Sequence, residues 1–191
     1  MTEKNLYETV ESILPQTQCR QCGFDGCRHY ARAMIDANAP INRCATGGKR
    51  GIKKLARALG RPVVELDPEY GHEMPLALAK IDTGRCIGCQ LCAKVCPVDA
   101  VTGVPKHLFA VVQSDCTGCA LCVPACPMDC IRLFDVDHVW DETDSAKAKR
   151  NHEAKERREA ELLKERAESL NHTKDQKRSV IEQVLALAKK R

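Results

Sequence analysis

The chain has 191 residues, room for one or two domains, and its apolar content of 43% is ordinary, but it holds only one Trp, three Tyr and three Phe. Thirteen cysteines need a job in a reducing compartment, and the polar opening MTEKNLYETVESILPQ reads as no secretory signal, which argues against a disulfide scaffold. Net charge is +4 and unevenly placed: residues 145–191 carry 14 Lys and Arg against 8 Asp and Glu, leaving 16 against 18 before them. No apolar run approaches the roughly 18 residues that span a bilayer, so the expectation is a soluble protein, or one held at a membrane by partners.

In chain order, residues 3–14 predict a helix with Leu6, Val10, Ile13 and Leu14 on one face, stopped by Pro15. The first cysteine group follows, Cys19, Cys22, Cys27 and Cys44, spaced C-x2-C-x4-C-x16-C. Four thiolates suffice for one [4Fe–4S] cube, and a four-Cys zinc site fits the same count. A short helix is expected over 29–35, ended by Asn38-Ala39-Pro40, and a basic helix over 49–59 with Gly60 past its end. Residues 61–76, with Pro62, Pro68 and Pro75, read as an irregular connector. Residues 77–82 then predict a short strand.

The next stretch is the most specific in the chain. Residues 86–97 read C-I-G-C-Q-L-C-A-K-V-C-P, and residues 116–127 read C-T-G-C-A-L-C-V-P-A-C-P. Each is the two-cluster bacterial ferredoxin run C-x2-C-x2-C-x3-C-P, whose fourth thiolate crosses to the other cube. The expected sets are therefore Cys86, Cys89, Cys92 and Cys126, and Cys96, Cys116, Cys119 and Cys122. The halves repeat at an offset of 30, implying two pseudo-equivalent half-domains around one small core. Residues 108–112 predict the equivalent strand before the second motif, and short helices are expected after each Cys-Pro, near 98–100 and 128–130. Zinc fits poorly, because interleaved triplets with a crossing partner are not a tetrahedral site. Cys130 matches Ala100 in the first half, so it reads as a small buried residue beside a cluster rather than a ligand.

Beyond Trp140 the composition shifts to strong helix formers with interleaved charge, a long solvated helix interrupted at Asn171-His172-Thr173. A last segment, 180–191, places Ile181, Val184, Leu185 and Ala188 on one face before Lys189, Lys190 and Arg191, either a frayed end or a docking helix for a partner or anionic headgroups. Aromatic residues do not interleave with the basic ones, so nucleic acid is not expected. The histidines form no triad or metal box, and no Gly-rich phosphate loop appears. The sequence shows no site for substrate chemistry and no catalytic residue.

With these motifs in place, the chain over about residues 5–136 resembles the B-type component of the Rnf/Rsx electron transport complex. The resemblance rests on L-P-Q-T-Q-C-R-Q-C-G-F-D-G-C-R-x-Y-A, on Leu66-Asp67-Pro68, and on the double cluster motif ending C-P-M-D-C-I. It implies three [4Fe–4S] clusters, the one outside the ferredoxin unit held by Cys19, Cys22, Cys27 and Cys44. It also implies a place on the cytoplasmic face of a bacterial inner-membrane complex, passing electrons between soluble donors or acceptors and membrane subunits, coupled to ion movement. Family members usually open with a hydrophobic anchoring helix, which the first residues here do not resemble, so the expected localisation is cytoplasmic with peripheral membrane contact at most.

The expected architecture is α+β: a small helical four-Cys domain (1–60), a connector (61–76), a two-cluster ferredoxin-like domain (77–140) and a charged helical tail (145–191). The expected function is electron transfer. The alternatives are a stand-alone soluble ferredoxin-like carrier, or an iron–sulfur redox sensor or adaptor acting through its basic tail.

Overall fold

The computed structural model describes residues 3–188, a mixture of five α-helices and four short strands. Residues up to His152 form one compact unit, and those from Glu153 a second.

Three helices build the first core. α1 (Glu3–Ile13) buries Val10 and Leu14, α2 (Cys27–Asp36) buries Tyr30, Ala31 and Met34, and α3 (Gly48–Leu59) buries Ile52, Leu55 and Ala56. These are the i, i+3, i+4 positions of each segment, as an apolar stripe facing a shared core requires. Asn38, with φ +51°, turns the chain beyond α2, and the Arg61 guanidinium donates to the carbonyls of Ala39 (2.8 Å) and Met34. Gly60 ends α3 in the left-handed conformation with φ +63°, a position that favours glycine. Tyr30 stitches the loop between: its hydroxyl donates to Pro40 O at 2.7 Å and accepts from Arg43 N at 3.1 Å.

The connector holds one 3-10 turn, Pro68–Tyr70, started by the Asp67 carboxylate accepting from Glu69 N at 3.1 Å. Two antiparallel two-stranded sheets follow. β1 (Ala77–Ile81) pairs with β4 (Ile131–Asp135) in the register Ala77–Asp135 to Ile81–Ile131. β2 (Val101–Gly103) pairs with β3 (Phe109–Val111), Val101 opposite Val111. Their inner faces, with Val98, Ala100, Phe109 and Ile131, close around the cysteines of both motifs.

Local structure departs from expectation in three places. No helix follows either Cys-Pro; both stretches are turns, because Asp99 and Asp129 take left-handed φ of +55° and +46°. The short helix lies before the crossing cysteine instead, α4 (Leu91–Val95). Its 30-residue equivalent forms only turns: Lys94 N donates to Gln90 O at 3.0 Å, and the matching residue, Pro124, has no N–H to do so. The last helix, α5 (Glu142–Ala188), continues through Asn171-His172-Thr173 without interruption.

The first turns of α5 belong to the compact unit. Trp140 Nε1 donates to Pro15 O at 2.9 Å, and Arg50 donates to Trp140 O at 3.1 Å. Lys149 meets the buried Glu11 carboxylate at 2.8 Å, Lys147 meets Asp115 at 2.6 Å, and His152 Nδ1 lies 2.8 Å from Pro97 O. In the second unit residues 156–172 are exposed, joined by i,i+4 pairs such as Lys164–Glu168. Of the apolar face expected near the end, Ile181 is exposed. The side chains of Val184, Leu185 and Ala188, and residues 189–191, lie outside the described residues.

Candidate metal centres

All thirteen cysteines are free thiols, and twelve of them gather in fours around three small cavities. Cys19, Cys22, Cys27 and Cys44 line the first, walled by Leu14, Thr17 and Tyr30. The loop before α2, the first residue of α2 and the turn before α3 carry them, so the helical core positions this set. Cys86, Cys89 and Cys92 line the second with Cys126, which arrives from the other motif. Cys116, Cys119 and Cys122 line the third with Cys96, the reciprocal crossing. In both motifs the glycine inside the first C-x2-C lies in the left-handed region, φ +69° at Gly88 and +67° at Gly118.

The thirteenth cysteine also has a place. Cys130 lines the Cys86 cavity, 4% exposed, with its sulfur 3.3 Å from Cys126 Sγ.

The donor sets suit a thiolate-bound group. Burial pushes the Cys27 and Cys122 thiols up to about 12 and Cys119 to about 11, with neighbouring sulfurs of the same set adding repulsion. Cys44 is raised further, and Cys22 and Cys92 are raised as well, burial leading in each. Partly or fully buried sulfurs around one small cavity are disfavoured as thiolates without a cation among them, and bound metal removes that penalty. Backbone N–H groups already face the sulfurs: Gly47 N donates to Cys44 Sγ at 3.3 Å, and backbone N–H groups likewise stabilise the thiolates of Cys22, Cys27 and Cys119. Such donors tune a metal–sulfur centre. Burial raises Cys126 too, but donors at Cys130 and Met128 outweigh it and leave that thiol lowered.

A further buried atom wants a partner. Thr17 Oγ1, on a residue 1% exposed, has none within the protein, and Thr17 lines the first cavity. An unsatisfied buried hydroxyl costs about 1–3 kcal/mol, and a sulfur-rich group in that cavity offers the missing acceptor. Spacing around cysteines carries no signal for such a residue. Among the described residues, no three Cys, His, Asp or Glu side chains converge tightly enough to hold a single metal ion; the sulfurs line cavities instead.

Comparison with known proteins joins this geometry to a lineage. Residues 79–133 match the family described as "4Fe-4S dicluster domain", and residues 14–45 match the one described as "Putative Fe-S cluster". The B-type component of the ion-translocating oxidoreductase complex of Alkalilimnicola ehrlichii is 51% identical over 132 residues, 68% of this chain and 70% of the relative. The chain belongs to that B-type family. Two other members, from Yersinia pestis and Azoarcus sp., are 47% identical over 135 residues (70% of this chain, 72% of theirs) and 52% identical over 107 residues (56% and 58%). The match spans little more than half the Azoarcus and Thiobacillus denitrificans relatives, 58% of each. The two matched family descriptions support iron–sulfur cofactors for this chain.

Proposed function

We propose that this chain carries electrons through three [4Fe–4S] clusters as the B-type component of an ion-translocating oxidoreductase complex. Cys19, Cys22, Cys27 and Cys44 would hold the first, Cys86, Cys89, Cys92 and Cys126 the second, and Cys96, Cys116, Cys119 and Cys122 the third. The clusters would supply one-electron chemistry; the protein's part is to hold, shield and tune them. Val98, Val101, Phe109 and Ile131 keep water from the ferredoxin pair, and N–H donors to sulfur set its potential.

The observation that carries this reading is the grouping of twelve thiols into three cavities of four, two of them built by exchange of one cysteine between motifs. The partners on this reading are the complex's membrane subunits and a soluble donor or acceptor. Among the described residues no helix is long and apolar enough to cross a membrane. The units of function are an N-terminal cluster domain (1–60), a connector (61–76), a ferredoxin-like domain (77–140) and the charged helix beyond.

Anaerobic reconstitution tests it. The protein should bind about twelve iron atoms and show reducible cubes by low-temperature EPR. Cys126→Ala should lose the Cys86 centre, although the residue sits in the second motif, and leave about eight iron atoms in place. A colourless protein with stoichiometric zinc overturns the reading, and loss of the Cys116 centre in that variant overturns the crossing.

A further inference from the structure

The repeat of the ferredoxin unit breaks at one informative position. Cys86-Ile87-Gly88-Cys89 and Cys116-Thr117-Gly118-Cys119 are equivalent, yet Ile87 is 58% exposed and Thr117 only 3%. Leaving the hydrocarbon in water while burying the hydroxyl reverses what transfer free energies favour. Thr117 is therefore held by a partner, which comes from the other end of the sequence. Its hydroxyl donates to Thr17 O at 3.0 Å, across 100 residues. Thr117 also lines the cavity of Cys96, Cys116, Cys119 and Cys122. Thr17 lines the first cavity, and Cys19 follows two residues later.

We infer that Thr117 couples the N-terminal cage to the cage of Cys96, Cys116, Cys119 and Cys122, so that electrons cross between the two domains there and the Cys86 cage is the far end of the relay. This rests on the three-cluster reading above. One electron leaves one cage and enters the other; no bond is made or broken and no proton departs. A cleft of about 600 Å³ is lined by Thr17 and Cys19 together with Thr117 and Cys119. The buried contact between the threonines is a protein bridge across it. The Cys86 cavity shares no lining residue with that cleft.

The surroundings keep the bridge in place. A Cβ on Gly118 would stand 2.6 Å from Ala77 O, so the loop lies hard against the chain entering β1 and has no slack to swing. Lys54–Glu142 at 2.9 Å joins the Trp140 and Lys149 contacts in tying the N-terminal helices to the ferredoxin unit's exit.

The test uses the full chain, reconstituted anaerobically, as wild type, Thr117→Val, Thr117→Ser and Ile87→Val. Iron content and reduced EPR signals come first; missing centres in the wild type sink the three-cluster reading, with no bearing on Thr117. Each protein then receives one electron per flash from photoexcited deazaflavin, and freeze-quench EPR follows its redistribution between the N-terminal and ferredoxin signals, assigned with Cys22→Ala. Thr117→Val should slow redistribution severalfold, since it removes the hydrogen bond to Thr17 O that joins the two cages. Thr117→Ser and Ile87→Val should match the wild type. An unchanged rate in Thr117→Val, or equal slowing in Thr117→Ser, overturns the proposal. If Thr117→Val does not retain its iron, magnetic broadening of the wild-type N-terminal signal decides. Broadening that disappears in Cys122→Ala supports the route, and broadening that disappears only in Cys89→Ala overturns it.

Discussion

Within the compact unit, the N-terminal helices and the segment of the two repeated motifs hold their sulfurs by different means. Around the first set stands a hydrocarbon core in which Tyr30, Leu14, Met34, Ile52, Leu55 and Val10 are fully buried. Around the other two sets the buried residues are smaller: Cys92, Cys96, Cys122 and Cys130 beside Ala79, Ala100 and Ala148 of α5, with Ile81, Val98, Val101, Ile131 and one Phe. Backbone order there comes from two ladders of five and three residue pairs. Sulfur there stands where hydrocarbon stands among the N-terminal helices. A small domain with so little apolar core leans on its metal, whereas three packed helices do not to the same degree.

Stripping the iron under anaerobic conditions sharpens that contrast most. Hydrogen exchange on the iron-free protein should show the β1–β4 ladder unprotected and the amides of α1, α2 and α3 still protected. Equal loss in both regions would break the comparison. A smaller effect comes from the N-terminal core itself. Leu55→Ala should cost about 2–5 kcal/mol in urea unfolding of the iron-free protein, whereas Ile87→Ala, at an exposed site, should stay within about 0.5 kcal/mol.

For each thiol and pH unit, acidity gives a smaller effect. In the folded iron-free protein burial raises Cys27 to about 12 and lifts Cys22 and Cys44 as well, against about 8.5 for an unfolded thiol. The folded state then binds more protons, so this contribution is fully present below about pH 8.5 and is lost as pH rises toward 12, at most about 1.4 kcal/mol per pH unit for each thiol. Urea midpoints of iron-free protein should fall between about pH 8 and 10; a rise contradicts the burial of these sulfurs.

Much of this contrast was legible in the sequence. Apolar spacing placed α1, α2, α3 and β1 to within two residues, because each pattern is local and its stop is a proline, an asparagine or a glycine. The cysteine spacing named the same fours that the cavities gather. What stayed hidden was non-local or conformational. β4 finds its partner 50 residues back, and β2 is three residues long. The expected helices after each Cys-Pro failed on the left-handed φ of Asp99 and Asp129, which residue type does not announce. The contact of Thr17 with Thr117 spans 100 residues and leaves no trace in local spacing; only the mismatch of Ile87 with Thr117 within the repeat hints at it.

Where the protein can be trimmed follows from the contacts at the start of α5. A cut near residue 145, where the charged composition begins, would strip away Lys147, Lys149 and His152, and with them the anchors on Asp115, Glu11 and Pro97. The buried Glu11 carboxylate would then lean on the more distant Arg28 guanidinium, at 3.8 Å, for its counter-charge. A shortened version meant to probe the basic helix has to keep these anchors and the buried Lys155, and so is cut no earlier than the exposed stretch that begins at residue 156.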